Sequence, residues 1–184
     1  MEIYFATGNK NKFEEAKKVF DERFPGCSLS HFGFSHNEIR SDSLEEIAEE
    51  AVTAAYKELK KPVFVEDAGL FIDALNGFPG TYSGWVYRKI GDKGILGLLR
   101  GEPDRKARFE ADIAFHDGKE IRHFHGICKG NIAEESKGQG GFGYDPVFVP
   151  TGWSTTFAES IELKNKLSHR YKTLSLLINH LKQQ

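Results

Sequence analysis

Apolar residues fall into two rhythms along the chain. Ile3, Tyr4 and Phe5 make a short β-prone run within residues 2–7, and the turn formers Gly8 and Asn9 end it. Phe13, Ala16, Phe20 and Phe24 then recur at helical spacing until Pro25 and Gly26 close the segment. A second helix is expected from Ser43, which forms a capping-box pair with Glu46, while Leu44, Ile47, Ala51 and Ala55 supply one apolar stripe as far as about Lys60. Val63, Phe64 and Val65 form a compact strand that the sequence stops at Glu66, Asp67 and Gly69. Two carboxylates are therefore expected at a strand's end, where open α/β sheets place their sites.

Residues 106–115 and 120–128 predict two strands joined by Asp117 and Gly118, the dipeptide favoured in a two-residue hairpin turn. Phe109, Ala111, Ile113 and Phe115 mark the buried face, and the register sets His123 opposite Asp112 and His125 opposite Glu110 as cross-strand polar pairs. A metal role for His116, His123 and His125 would need a converging third ligand, which the pattern does not offer. Leu167, Tyr171, Leu174, Ile178 and Leu181 alternate steps of four and three and predict a closing helix. Strands interleaved with helices, plus one hairpin, predict an α/β fold with a mixed, elongated sheet flanked by helices. One domain over residues 1–184 is expected, bilobed around a central cleft.

Charge narrows the function. Lys and Arg total 25 against 27 Asp and Glu, so no overall basic field draws the protein onto nucleic acid or an anionic membrane, and any polyanion must be gripped locally. Cys27 and Cys128 lack a CxxC spacing, which suits reduced core thiols in a cytoplasmic protein. The amino terminus turns polar too early for a signal-peptide core, and no later segment is apolar for long enough to span a bilayer.

Four segments carry candidate chemistry. Thr7, Gly8, Asn9, Lys10, Asn11 and Lys12 place a hydroxyl, backbone amides and two ammonium groups between strand and helix, which reads either as a phosphate cradle or as an ordinary βα turn. Asp67, with Glu66 beside it and the isolated Glu38, offers the hard oxygen ligands that suit Mg²⁺ completed by substrate phosphates. Phe142, Gly143, Tyr144 and Asp145 set two aromatics and a carboxylate in a glycine-rich loop, where a base could stack. Gly138, Gly140 and Gly143 satisfy GxGxxG, but Asp145-Pro146 follows instead of a helix, so a dinucleotide-binding reading fails. Lys164, His169 and Arg170 put donors near the start of the last helix, where cations oppose the helix dipole.

TGNKNK near the amino terminus, VEDAGLFIDALNGFPGTYS, GGFGYDPVFVP, TFAE and KNKLSHR together resemble, in order and spacing, the inosine triphosphate pyrophosphatase family, the Ham1-like enzymes of non-standard purine triphosphates. The resemblance implies a Mg²⁺-dependent homodimer that hydrolyses triphosphates of inosine and xanthosine to the monophosphate and pyrophosphate. By motif, residues 7–12 look like the triphosphate loop, Glu38 and Asp67 like magnesium ligands, and Asp67 also like the catalytic base. Ala68, Phe142, Gly143, Tyr144, Asp145, Lys164, His169 and Arg170 look like nucleotide contacts. Ala68 departs from the Ser or Thr common in the family, and Gly84 stands where many relatives carry a lysine. A Maf-type pyrophosphatase of other base preference is disfavoured by the His169-Arg170 ending, and a non-catalytic nucleotide- or RNA-binding module by the absent basic stripe.

Overall fold

The computed structural model describes residues 1–183. Seven strands form one sheet: β1 (Glu2–Ala6), β2 (Ser28–Phe32), β3 (Val63–Ile72), β4 (Pro79–Gly80), β5 (Lys106–His116), β6 (Ile121–Ile132) and β7 (Phe148–Pro150). The order is β2-β1-β3-β5-β6-β7, with β4 paired to β3. β1 runs parallel to both β2 and β3, whereas β3–β4 and β6–β7 are antiparallel. The helices are α1 (Lys10–Arg23), α2 (Leu44–Leu59), α3 (Ser83–Leu98, broken at Gly91), α4 (Ile161–Leu167) and α5 (His169–Leu181). The expected mixed α/β sheet flanked by helices is what the chain forms.

Two compact units emerge. The first comprises Met1–Asp67, Ala111–Gly126 and Arg170–Gln184, and the second Ala68–Glu110 and Ile127–His169. In the first, the period-two alternation of β1 serves two cores. Ile3 and Phe5 face Phe20 of α1 and Leu174 and Ile178 of α5, while Ala6 joins Ala48, Val52 and Ala55 of α2. Helices on opposite faces and the order β2-β1-β3 put a topological switch point at the carboxyl end of β1. The second unit has its own core around Leu70, Ile72, Val86, Phe109, Val147, Phe148 and Phe157.

The structure corrects four expectations. β3 does not stop at Glu66 but runs ten residues. Its charged residue is compensated, as described below, and Gly69 serves close approach instead of termination, since a Cβ there would lie 2.3 Å from the Gly80 carbonyl oxygen. In the hairpin, Asp117 N–H donates to Glu120 O, so Gly118 and Lys119 are the central turn residues; Asp117 caps the turn by accepting from the Lys119 and Glu120 amides. β5 is covered on both faces, with Asp112 and Ala114 as buried as Ile113, because α2 packs behind it. The closing helical rhythm crosses a break at Ser168, which is extended, so Leu167 belongs to α4.

Candidate active site

β1 delivers the chain into residues 7–12 at the switch point. Asn9 is the N-cap of α1, its side chain accepting from the Asn11 and Lys12 amides at 3.0 and 3.3 Å, and Thr7 Oγ1 accepts from the Asn9 amide at 3.1 Å. These internal bonds preset the loop. Lys10 and Asn9 are exposed, whereas Lys12 reaches inward to β3. Its Nζ donates to the Glu66 carbonyl at 3.0 Å and lies 3.6 Å from the Glu66 carboxylate. The parallel register explains the reach: Tyr4 pairs with Val63 and Phe5 with Phe64, so Glu66 and Asp67 fall just past the level where β1 ends. Glu66 sits beside the loop although it does not end its own strand.

Glu66 is 5% exposed and Arg170 3%. Arg170 Nε donates to Glu66 Oε2 at 2.8 Å and Nη2 to Oε1 at 2.7 Å, while Nη1 donates to Glu15 Oε2 at 2.6 Å. Burial pushes the Glu66 carboxyl upward, but Arg170 and then Lys12 outweigh it and hold that carboxyl below the usual carboxylate range. Burial likewise opposes the Arg170 charge, and Glu66 and Glu15 more than restore it. The dipole conflict at the start of α5 is answered by these two carboxylates. Asp67 is partly exposed on β3, and Glu38 is exposed on the segment between β2 and α2.

In the second unit, the glycine-rich loop wraps a buried ion pair. Lys164 Nζ donates to Asp145 Oδ2 at 2.6 Å, with the two side chains 2% and 4% exposed, and the same oxygen accepts from the Phe142 amide at 2.7 Å. The Lys164 ammonium lies 4.2 Å from the Phe142 ring centroid, so one ring face is taken by a cation. Tyr144 is a core residue: its hydroxyl donates to the Ser83 carbonyl at 3.3 Å, and burial, then Tyr87, raises its pKa. His169 is buried, stacked on Phe109 with centroids 4.8 Å apart. Ala68 is partly exposed. A 3₁₀ turn at Asp145–Val147, not a helix, follows the GxGxxG pattern.

Within the first unit, then, the structure joins Lys12, Glu66 and Arg170; within the second, Phe142, Asp145 and Lys164. Glu15 and the pairing of Glu66 escaped the sequence reading. The one available signal was the cationic His169-Arg170 pair at a helix start, where cations oppose the dipole.

A family model described as the Ham1 family matches residues 3–180. A dITP/XTP pyrophosphatase of Thermococcus kodakarensis is 46% identical over 184 residues, covering 100% of this chain and 98% of the relative. The chain belongs to the Ham1 family. A second relative, the dITP/XTP pyrophosphatase of Methanopyrus kandleri, is 48% identical over 177 residues, covering 95% and 93% of the two chains. The structure of the Staphylococcus aureus Ham1 protein superposes with a TM-score of 0.86 at 32% identity, covering 100% of this chain and 99% of that one. The resemblance carried by TGNKNK, GGFGYDP and KNKLSHR is thus upheld over nearly the whole Ham1 chain. No helix among the described residues is long and apolar enough to cross a membrane.

Proposed function

We propose that this chain hydrolyses deaminated purine nucleoside triphosphates, those of inosine and xanthosine and their deoxy forms, to the monophosphate and pyrophosphate. Full-length similarity to relatives named dITP/XTP pyrophosphatase is the observation that supports it most. The reaction needs the triphosphate charge offset and a water aligned with the leaving group. In this reading the water oxygen bonds to the α-phosphorus, its proton passes to Asp67, and the bond from the α-phosphorus to the bridging oxygen breaks. Pyrophosphate leaves with that oxygen.

Lys10, Lys12 and the preset Thr7–Asn9 turn hold the phosphates. Glu66, committed to Arg170 and held ionised, is a poor base, which supports Asp67 in that role. The donor set suits Mg²⁺: Asp67 and the exposed Glu38 are hard oxygen ligands, and substrate phosphates complete such sites. When bound, that ion draws charge from the triphosphate. Phe142 offers a ring face for the base, and Arg170 can only donate, so it favours the 6-oxo group of hypoxanthine and xanthine over the 6-amino group of adenine. His169 assists from the preceding position. The enzyme is proposed to act as a single domain over residues 1–184, as a cytoplasmic homodimer.

Incubation with Mg²⁺ and a panel of triphosphates tests this. Inosine triphosphate should give pyrophosphate and no stepwise orthophosphate, and excess chelator should abolish turnover; activity that survives chelation overturns the metal. Asp67→Asn should fold and bind nucleotide yet lower kcat by about 10²- to 10⁴-fold. Full activity in that folded variant excludes Asp67.

A further inference from the structure

Glu66 holds two cations from two distant segments, and its own carbonyl belongs to the peptide bond leading into Asp67. Its carboxylate receives Arg170 through two near-parallel bonds of 2.7 and 2.8 Å, an arrangement that fixes the plane of the guanidinium. Its carbonyl receives Lys12 at 3.0 Å, while the ammonium stays 3.6 Å from the carboxylate, attracted but not hydrogen-bonded to it. Lys12 and Arg170 face Glu66 and Glu15, so two positive charges meet two negative ones. We infer that Glu66 is a positioning residue: its carboxylate sets the Arg170 guanidinium for the base, and its carbonyl, with the charge of that carboxylate 3.6 Å away, sets the Lys12 ammonium for phosphate. This rests on the function proposed above.

The arrangement is more specific than a stabilising ion pair. A pair serving stability alone needs any compensating carboxylate, whereas here the same residue holds a side chain from α1 and a side chain from α5. Gln at this position keeps the shape but turns an NH₂ donor toward two cationic donors. The carbonyl bond to Lys12 survives in Gln, but the ammonium loses the carboxylate charge 3.6 Å away and Arg170 loses its paired acceptor, so phosphate grip and base choice should weaken together.

The experiment measures steady-state kinetics of Glu66→Gln on inosine and adenosine triphosphates, alongside Val52→Ala, a truncation in the α2 core. Both should lower Tm. A purely structural loss reduces the fraction of active molecules, scaling kcat alike for every substrate and leaving KM unchanged, which is the expectation for Val52→Ala. Glu66→Gln should instead raise KM for inosine triphosphate by ~10-fold and shrink its preference over adenosine triphosphate by a similar factor. Glu66→Asp, which retains the charge with a shorter reach, covers the case in which Glu66→Gln does not fold; it should show the same two changes at smaller size. Unaltered KM and preference in a folded Glu66 variant overturn the inference. If the unaltered protein hydrolyses no triphosphate, the functional reading fails, which is a separate result.

Discussion

Glycines of the loop between β6 and β7 separate strain from contact. Gly141 and Gly143 have φ of +70° and +63°, so a side chain at either adopts the left-handed region at roughly 1–2 kcal/mol. Only at Gly141 would a Cβ also collide, 2.2 Å from Asp145 Oδ2, the oxygen that receives Lys164 and the Phe142 amide; at Gly143 nothing lies within 4 Å. Gly141→Ala should therefore destabilise by several times the loss in Gly143→Ala, read from denaturant midpoints. Glu66 gives a second residue-scale prediction. Its folded pKa lies below the unfolded value, so its contribution is fully present above the ordinary carboxylate range and is lost as pH falls through the depressed folded value. Glu66→Gln should cost about 3–5 kcal/mol at neutral pH, the loss typical of breaking a buried pair. Urea melts should show that gap closing as the solution is taken below about pH 4.

At the scale of the element, α2 shows what local signals can do. Ser43 caps it by accepting from the Glu46 amide at 3.2 Å, and Lys60 ends it in the left-handed region. Ser43→Ala should lose about 1 kcal/mol of stability and leave kinetics untouched. β1, α1, α2, the hairpin and most of α5 were legible because an apolar period and a terminator coincide in each. α3 was not: Gly84, Gly91, Gly94 and Gly97 depress its propensity, and its stability comes from Val86 and Ile95, with the C-cap Leu99, packed in a core that only the folded chain supplies. β4 and β7 are too short to show a period, and the continuation of β3 past Glu66 depends on Lys12 and Arg170, far away in sequence. The site divides likewise. Contiguous motifs were readable as motifs, while the joining of Lys12, Glu66 and Arg170 is a tertiary fact. Tyr144, which the resemblance places among the nucleotide contacts, has its side chain in the core.

For the whole molecule, the path of the chain matters more than any single contact. Five segments make up the two units, and β3, β5 and β6 each supply residues to both. No single cut yields two self-sufficient pieces, so a chain ending at His169 should fail to fold, which circular dichroism would show as loss of the native spectrum. The reason is that Leu174, Leu177, Ile178 and Leu181 of α5 complete the core that begins with Ile3 and Phe5. During synthesis, Phe20 and Phe64 are made before α5, the helix that covers them. The buried Glu66 is likewise made 104 residues before its partner Arg170. Until α5 is made, a nascent chain of this kind exposes an aromatic face and an uncompensated charge together, a period in which chaperones would have the most to shield.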